Sequence, residues 1–240
     1  MKKMLLCMAI ACSLPIICSA KTKLVLIGDA SMAPHSIATP DVRGWGEKLT
    51  DYFTDQVEIV NVAQAGESTH TLEGKRLEMI MEQCDRGDFV LIQVGQNDLR
   101  EEYGHMYYST LEMGENLTEI VKQLQKKKLK VILCTPIAHP YYVDGKAVNR
   151  MGGYSNVIRN VAKLTEAYLL DIEAVSKTWL DKIGEKNASL FFKNTNHGTE
   201  RHEYLLTETG ATEIGRMVAN EIRAQKIPHL KKQVVLTIVE

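Results

Sequence analysis

The residues able to do chemistry in this chain gather in four short stretches, each at or just after an apolar run. The first is Gly28-Asp29-Ala30-Ser31, which follows LVLI at 24–27. Gly-Asp after a buried strand forms a turn that presents the next side chain at a sheet edge. Here that side chain is Ala30, a methyl with nothing to donate, accept or attack with. Ser31 is adjacent, but neighbouring residues at a tight turn point in different directions, so its hydroxyl reads as a hydrogen-bonding group within the loop. The second stretch, NVAQAGEST (61–69), contributes Gly66. The third, GQNDLREEYGHMYY (95–108), contributes Asn97, Asp98, His105, Tyr107 and Tyr108. The fourth, TPIAHPYYVDGKAVNR (135–150), contributes His139, Tyr141 and Tyr142.

Asp29 and Asp98 form a candidate carboxylate pair for glycoside chemistry; the alternative is that each caps backbone N–H groups in its own turn. His105, Tyr107, Tyr108, His139, Tyr141 and Tyr142 suit the rim of a sugar site, because aromatic faces with polar tips fit pyranose rings; the alternative for some of the tyrosines is packing. A late segment, NTNHGTERHEY (194–204), holds His197, Glu200, His202 and Glu203. It reads either as the source of a displaced base and its orienter or as a solvated loop. No Cys/His spacing suits zinc, and no metal or cofactor is expected.

These stretches need elements to position them. Short apolar runs at 24–27, 58–62, 89–94, 131–134 and 169–172 predict buried strands. Amphipathic stretches at 46–53, 72–84, 110–127, 154–167, 174–183 and 207–224 predict helices. In the last of these Ile214, Met217, Val218 and Ile222 make one apolar face. Strands alternating with helices predict βαβ units: a three-layer αβα sandwich around a mainly parallel sheet of about five strands. Ligands of such sheets bind beyond the carboxyl ends of the strands, where all four stretches fall. The tail KKQVVLTIVE is compatible with an added edge strand or a partner contact.

The first 20 residues read as a secretory signal peptide. Lys2 and Lys3 precede an apolar run from Leu5 to Ile17, and Cys18-Ser19-Ala20 offers a cleavage site. The run is short for a membrane span. The residues before Cys12 and Cys18 make poor lipobox sequences, so simple export to a periplasmic or extracellular space is expected rather than lipidation. Residues 21–240 then suit one domain. The 29 basic and 30 acidic residues nearly balance, and no basic stripe points to nucleic acid. Only Cys84 and Cys134 lie outside the leader. Both sit in apolar contexts and read as buried thiols rather than a bridge.

Gly28-Asp29, Gly66 and Gly95-Gln96-Asn97-Asp98, at successive strand ends, resemble the SGNH (GDSL) hydrolases. RGWGEKL (43–49), NVAQAGEST (61–69), GDFVLIQVGQND (87–98) and LLTETGATEIGRMVA (205–219) are similar to the secreted rhamnogalacturonan acetylesterase-type carbohydrate esterases, in the right order along the chain. The resemblance implies an SGNH, flavodoxin-like fold and a polysaccharide or oligosaccharide partner. It also implies a serine esterase mechanism, in which serine attacks, histidine takes the proton and aspartate orients the imidazole. An N–H at the first turn (Ser31), Gly66 and Asn97 then correspond to the oxyanion donors.

The triad itself is replaced. Ala30 stands at the serine position. Anchored on Gly210-Ala211, the family's Asp-x-x-His falls on His202 and Leu205. The resemblance therefore implies an esterase fold without its triad, acting in polysaccharide binding or utilisation. Two rival readings remain: an active carbohydrate deacetylase or glycan-cleaving enzyme with a relocated site, and a partner-binding subunit. If the last segment keeps the family's path, Ala30→Ser, His202→Asp and Leu205→His together would bring a triad into register.

Overall fold

The computed structural model describes residues 21–35, 41–99, 109–196 and 202–235. Five strands form one parallel sheet: β1 (Thr22–Gly28), β2 (Val57–Asn61), β3 (Phe89–Gln93), β4 (Lys130–Cys134) and β7 (Tyr168–Leu170), in the order β2-β1-β3-β4-β7. The small antiparallel pair β5 (Tyr142–Val143) and β6 (Lys146–Ala147) lies in the loop after β4. The longer helices are α2 (Lys75–Glu82), α3 (Thr110–Lys126), α4 (Tyr154–Thr165), α5 (Ile172–Ile183) and α7 (Glu208–Ala224). Among the described residues, short helices α1 (Trp45–Lys48) and α6 (Glu185–Ala188) complete the α-helical set, α1 running on into a 3-10 turn at Leu49–Tyr52.

The strands read as continuous apolar runs because both of their faces are covered. Leu24, Leu26, Phe89, Leu91, Ile132 and Cys134 point to one side, where they pack with α1, α5 and α7. Val25, Ile27, Val90, Ile92, Val131 and Leu133 point to the other, against α2, α3 and α4. This is the expected three-layer sandwich. Cys84 and Cys134 are buried free thiols, and no helix among the described residues is long and apolar enough to cross a membrane.

The segment before α7 differs from the solvated-loop reading. Phe192–Asn196 (β8) and His202–Leu206 (β9) pair as an antiparallel hairpin, with Lys193 opposite Leu205 and Asn196 opposite His202. Its junction with α7 is tight. Thr207 N–H donates to the Phe191 carbonyl and its hydroxyl to Leu190 O. A Cβ on Gly210 would lie 2.0 Å from Phe191 O, so only glycine allows this approach. The tail is not an added sheet strand over its described part. A 3-10 turn at Leu230–Lys232 leads to a single antiparallel bridge between Val234 and Phe53.

Candidate functional site

Strand order reverses between β1 and β3: from β1 the chain goes outward to β2, then crosses back to β3. Such a switch point opens a crevice at the carboxyl ends of the two strands. The loop after β1 and the residues after β3 meet there.

The turn after β1 is held by a buried polar relay. Asp29 Oδ1 accepts from the Ser31 N–H at 2.9 Å and from the Ser31 hydroxyl at 2.7 Å. Gln93, the last residue of β3, donates its Nε2 to Ser31 Oγ at 2.7 Å. Trp45 Nε1 in turn donates to Gln93 Oε1 at 3.2 Å. Asp29, Ser31, Gln93 and Trp45 are all buried. Ala30, half-buried, is thus presented by a turn fixed on both sides. The Ser31 N–H expected to serve as an oxyanion donor is engaged by Asp29 instead. The Ser31 hydroxyl points inward, to Asp29 and Gln93. His35 closes the other flank, its Nε2 2.8 Å from the Ala30 carbonyl oxygen.

The second and third loops are tied to each other. Asn97 Nδ2 donates to the Glu67 carbonyl at 2.9 Å, directly after Gly66. An amide nitrogen carries two hydrogens, so this contact leaves the second in place. Gly66 has φ +84, a left-handed conformation that glycine adopts without strain. The Glu67 carboxylate is fully buried and accepts from Arg76 at 3.0 Å and from the Thr71 hydroxyl at 2.8 Å. This pair fixes the stretch of backbone that carries Gly66 and accepts the bond from Asn97.

Asp98 serves the loop framework. It is fully buried, and its carboxylate accepts the backbone N–H and hydroxyl of Thr69. Burial pushes its pKa up, and the Thr69 bonds pull against that shift. Asp29 is equally enclosed, so the pair expected for glycoside chemistry is built into the two turns. Among the described residues no group of three or more His, Cys, Asp or Glu could hold a metal ion.

On the fourth loop, His139 and Tyr141 stand with ring centroids 6.4 Å apart. The Arg150 guanidinium lies 4.3 Å above the Tyr141 ring, so one aromatic face of this rim is covered. Tyr142 donates its hydroxyl to Leu180 O and is a packing residue. His105, Tyr107, Tyr108, His197 and Glu200 lie outside the described residues. Beneath the fourth loop, Arg159 pairs at 2.7 Å with both Asp171 and Glu173. Burial alone would raise the Asp171 pKa, but Arg159 and the Thr135 hydroxyl outweigh it and hold the carboxyl below its ordinary range.

The hairpin lies where the resemblance places the base and its orienter. Leu205 is half-buried and sits in the ladder opposite Lys193. Successive strand positions alternate faces, so positions 202 and 205, three apart, fall on opposite faces of β9. An orienter and its base must share a face. The hairpin still reaches the first turn through one strap: Arg43 N–H donates to Leu206 O, and two residues on, Trp45 N–H donates to Ser31 O.

Sequence reasoning missed His35, Gln93 and the Glu67–Arg76 pair. Gln93 had a signal, a lone amide inside the apolar run FVLIQV. The other contacts join residues whose meeting only the loop paths decide.

The family described as GDSL-like Lipase/Acylhydrolase matches residues 29–201, and the chain belongs to it. It is 24% identical to the probable rhamnogalacturonan acetylesterase YesY of Bacillus subtilis, over 85% of this chain and 94% of that protein. It is 27% identical to the rhamnogalacturonan acetylesterase RhgT of the same organism, over 86% of this chain and 91% of that protein. Among solved structures, the YxiM protein of Bacillus subtilis superposes with a TM-score of 0.75 at 23% identity, over 87% of this chain and 58% of that longer one. The acetylxylan esterase Axe2 of Geobacillus stearothermophilus superposes with a TM-score of 0.61 at 20% identity, over 85% of this chain and 94% of that one. At these identities the structural likeness speaks for the fold.

Proposed function

We propose that this member of the acylhydrolase family binds an acetylated or acidic polysaccharide and does not hydrolyse it by the serine route. The observation that carries the reading is Ala30, a methyl at the apex of a turn whose surroundings are otherwise complete. Asp29, Ser31, Gln93 and Trp45 hold the turn rigid, and the Gly66 and Asn97 loops remain joined beside it. Without a nucleophile, the covalent step has no attacking atom. The enclosed Ser31 hydroxyl argues against a relocated nucleophile, and the two faces of β9 argue against a restored base. What remains suits holding an ester or sugar oxygen. Export through the apolar leader, with residues 21–240 as the working domain, belongs to the same proposal.

Two assays test it together. Acetate release from acetylated pectin, and from a chromogenic acetate ester, should stay at the no-protein rate. Calorimetry with acetylated pectic oligosaccharides should detect binding, and Asn97→Ala should weaken it by about 1–3 kcal/mol through loss of a buried polar contact. Turnover abolished by Ser31→Ala would establish the relocated-site reading instead. No binding across a broad glycan set, with a protein copurifying, would favour the partner-binding subunit.

A further inference from the structure

The helices α3 and α4 pack side by side and run in the same direction. A Cβ on Gly153, just before α4, would lie 3.3 Å from Thr110, the first residue of α3. At the far end Gln125 Nε2 donates to Thr165 O at 2.8 Å. Between the helices lies a groove with about 680 Å³ of space. It extends from Thr110 to Lys122, roughly 18 Å at the rise of an α-helix. Gly114, Val157 and Val161 line it, and a leucine stands towards each end. Leu111 is 70% exposed and Leu164 is 73% exposed, the highest values for large apolar side chains among the described residues. Leucines left in water at both ends of one apolar groove mark a contact surface.

The charges on the groove select its occupant. Glu115, Glu119 and Lys122 line it, all exposed. Glu119 accepts from Gln123 Nε2 at 3.1 Å. Glu115 and Lys122 make no ion pair among the described residues. They stand about two helical turns apart on one stripe of α3, Glu115 towards the Leu111 end and Lys122 towards the Leu164 end. Neither lies in the first or last turn of α3, so the helix dipole does not account for them. A second copy turned end for end reverses the order. Glu115 of each copy then lies towards Lys122 of the other, and Leu111 of each towards Leu164 of the other. One two-fold axis serves all four contacts, which is the self-complementarity of an isologous pair. We propose that the α3–α4 groove is the contact face of a homodimer. The face is only two helices wide, so the pair forms reversibly. Both helices begin at the carboxyl edge of the sheet, so the two candidate sites of a dimer open at opposite ends. This inference does not depend on what the site binds.

Sedimentation of the full chain over a concentration series tests it, with the apolar leader common to every variant. Wild type should rise from one chain of 27.0 kDa towards twice that mass. Leu111→Glu with Leu164→Glu, both at exposed positions, should weaken association by roughly a hundredfold. Glu115→Lys alone and Lys122→Glu alone should each weaken it by roughly tenfold, since each turns two attractions into two repulsions. Mixing those two single variants should restore association as a heterodimer, which a pairing within one chain could not do. Lys226→Gln, after α7, should change nothing. A chain that stays monomeric at every concentration overturns the proposal. So does a dimer indifferent to the two leucines, or single charge variants that associate no better mixed than apart.

Discussion

The turn after β1 and the hairpin before α7 would each supply part of a serine esterase's triad, and they differ in how they depart from it. The turn is rigidly held and carries a methyl, Ala30, where the resemblance expects a serine. The hairpin has another architecture altogether, a β-ladder in which the two relevant positions face opposite ways. A loss of the first kind can be undone at one residue; a loss of the second kind cannot. The difference comes from packing. The turn is locked by bonds to β3 and α1, so a change at Ala30 leaves its frame in place. The hairpin touches the first turn through the strap at Arg43–Trp45 and otherwise obeys its own ladder.

The largest expected effect follows from that locking. Trp45 is fully buried and anchors the relay through Gln93. Trp45→Ala should lower the unfolding free energy by about 3–5 kcal/mol. Leu205→Ala, at a half-buried hairpin position, should lower it by about 1 kcal/mol or less. Denaturant melts of both variants check the contrast. Equal losses would mean that the hairpin is as firmly built in as the turn.

Gln93→Leu comes next. It fills nearly the same volume but leaves Ser31 Oγ and Trp45 Nε1 without this buried partner, and it should destabilise by about 1–3 kcal/mol. A neutral outcome would mean that the turn is held by backbone contacts alone, such as the 3.0 Å bond from Met32 N–H to Asp29 O.

The framework beneath the fourth loop provides a pH-dependent control outside both regions. The folded pKa of Asp171 lies below the ordinary 3.8. Its stabilisation is therefore complete above that value and is lost as pH falls through the lower folded value. Asp98 has the opposite sign. Its folded pKa lies above 3.8, so its contribution weakens stability as pH rises from 3.8 through the raised value. Asp171→Asn should flatten the acid limb of stability against pH, read by thermal melts between strongly acid and neutral buffers, without touching the turn.

The sheet was legible because strands buried on both faces leave uninterrupted apolar runs, and β3 begins at Phe89 just as the run does. The helix α7 was legible for the complementary reason, a single apolar stripe. The first three loops were legible as strand ends. Their wiring was not, because Asn97 to Glu67 and Gln93 to Ser31 are contacts across the sheet between residues about 30 and 62 positions apart. The hairpin was hidden by composition: NTNHGTERHEY is polar with no alternating apolar face, and its pairing is a backbone matter.

The smallest expected effect is the sharpest test of the comparison. Ala30→Ser restores the one missing group to a turn that keeps its shape. Ala30 is half-buried, so a hydroxyl should change stability by no more than about 0.5 kcal/mol. Esterase activity should stay at background, because a serine needs a base to become a useful nucleophile at neutral pH. His35 is the imidazole beside the turn, but its Nε2 meets the Ala30 carbonyl, which can only accept, so that nitrogen acts there as a donor. Adding His202→Asp and Leu205→His should also leave the rate at background, since the two new groups would stand on opposite faces of β9. The measurement is acetate release by the single and triple variants, with melting temperatures to confirm folding. Activity in the triple variant alone would show that the ladder opens to the family's path. Activity in Ala30→Ser alone, abolished by His35→Ala, would assign His35 as a base and make the turn, not the hairpin, the whole of what catalysis lacks.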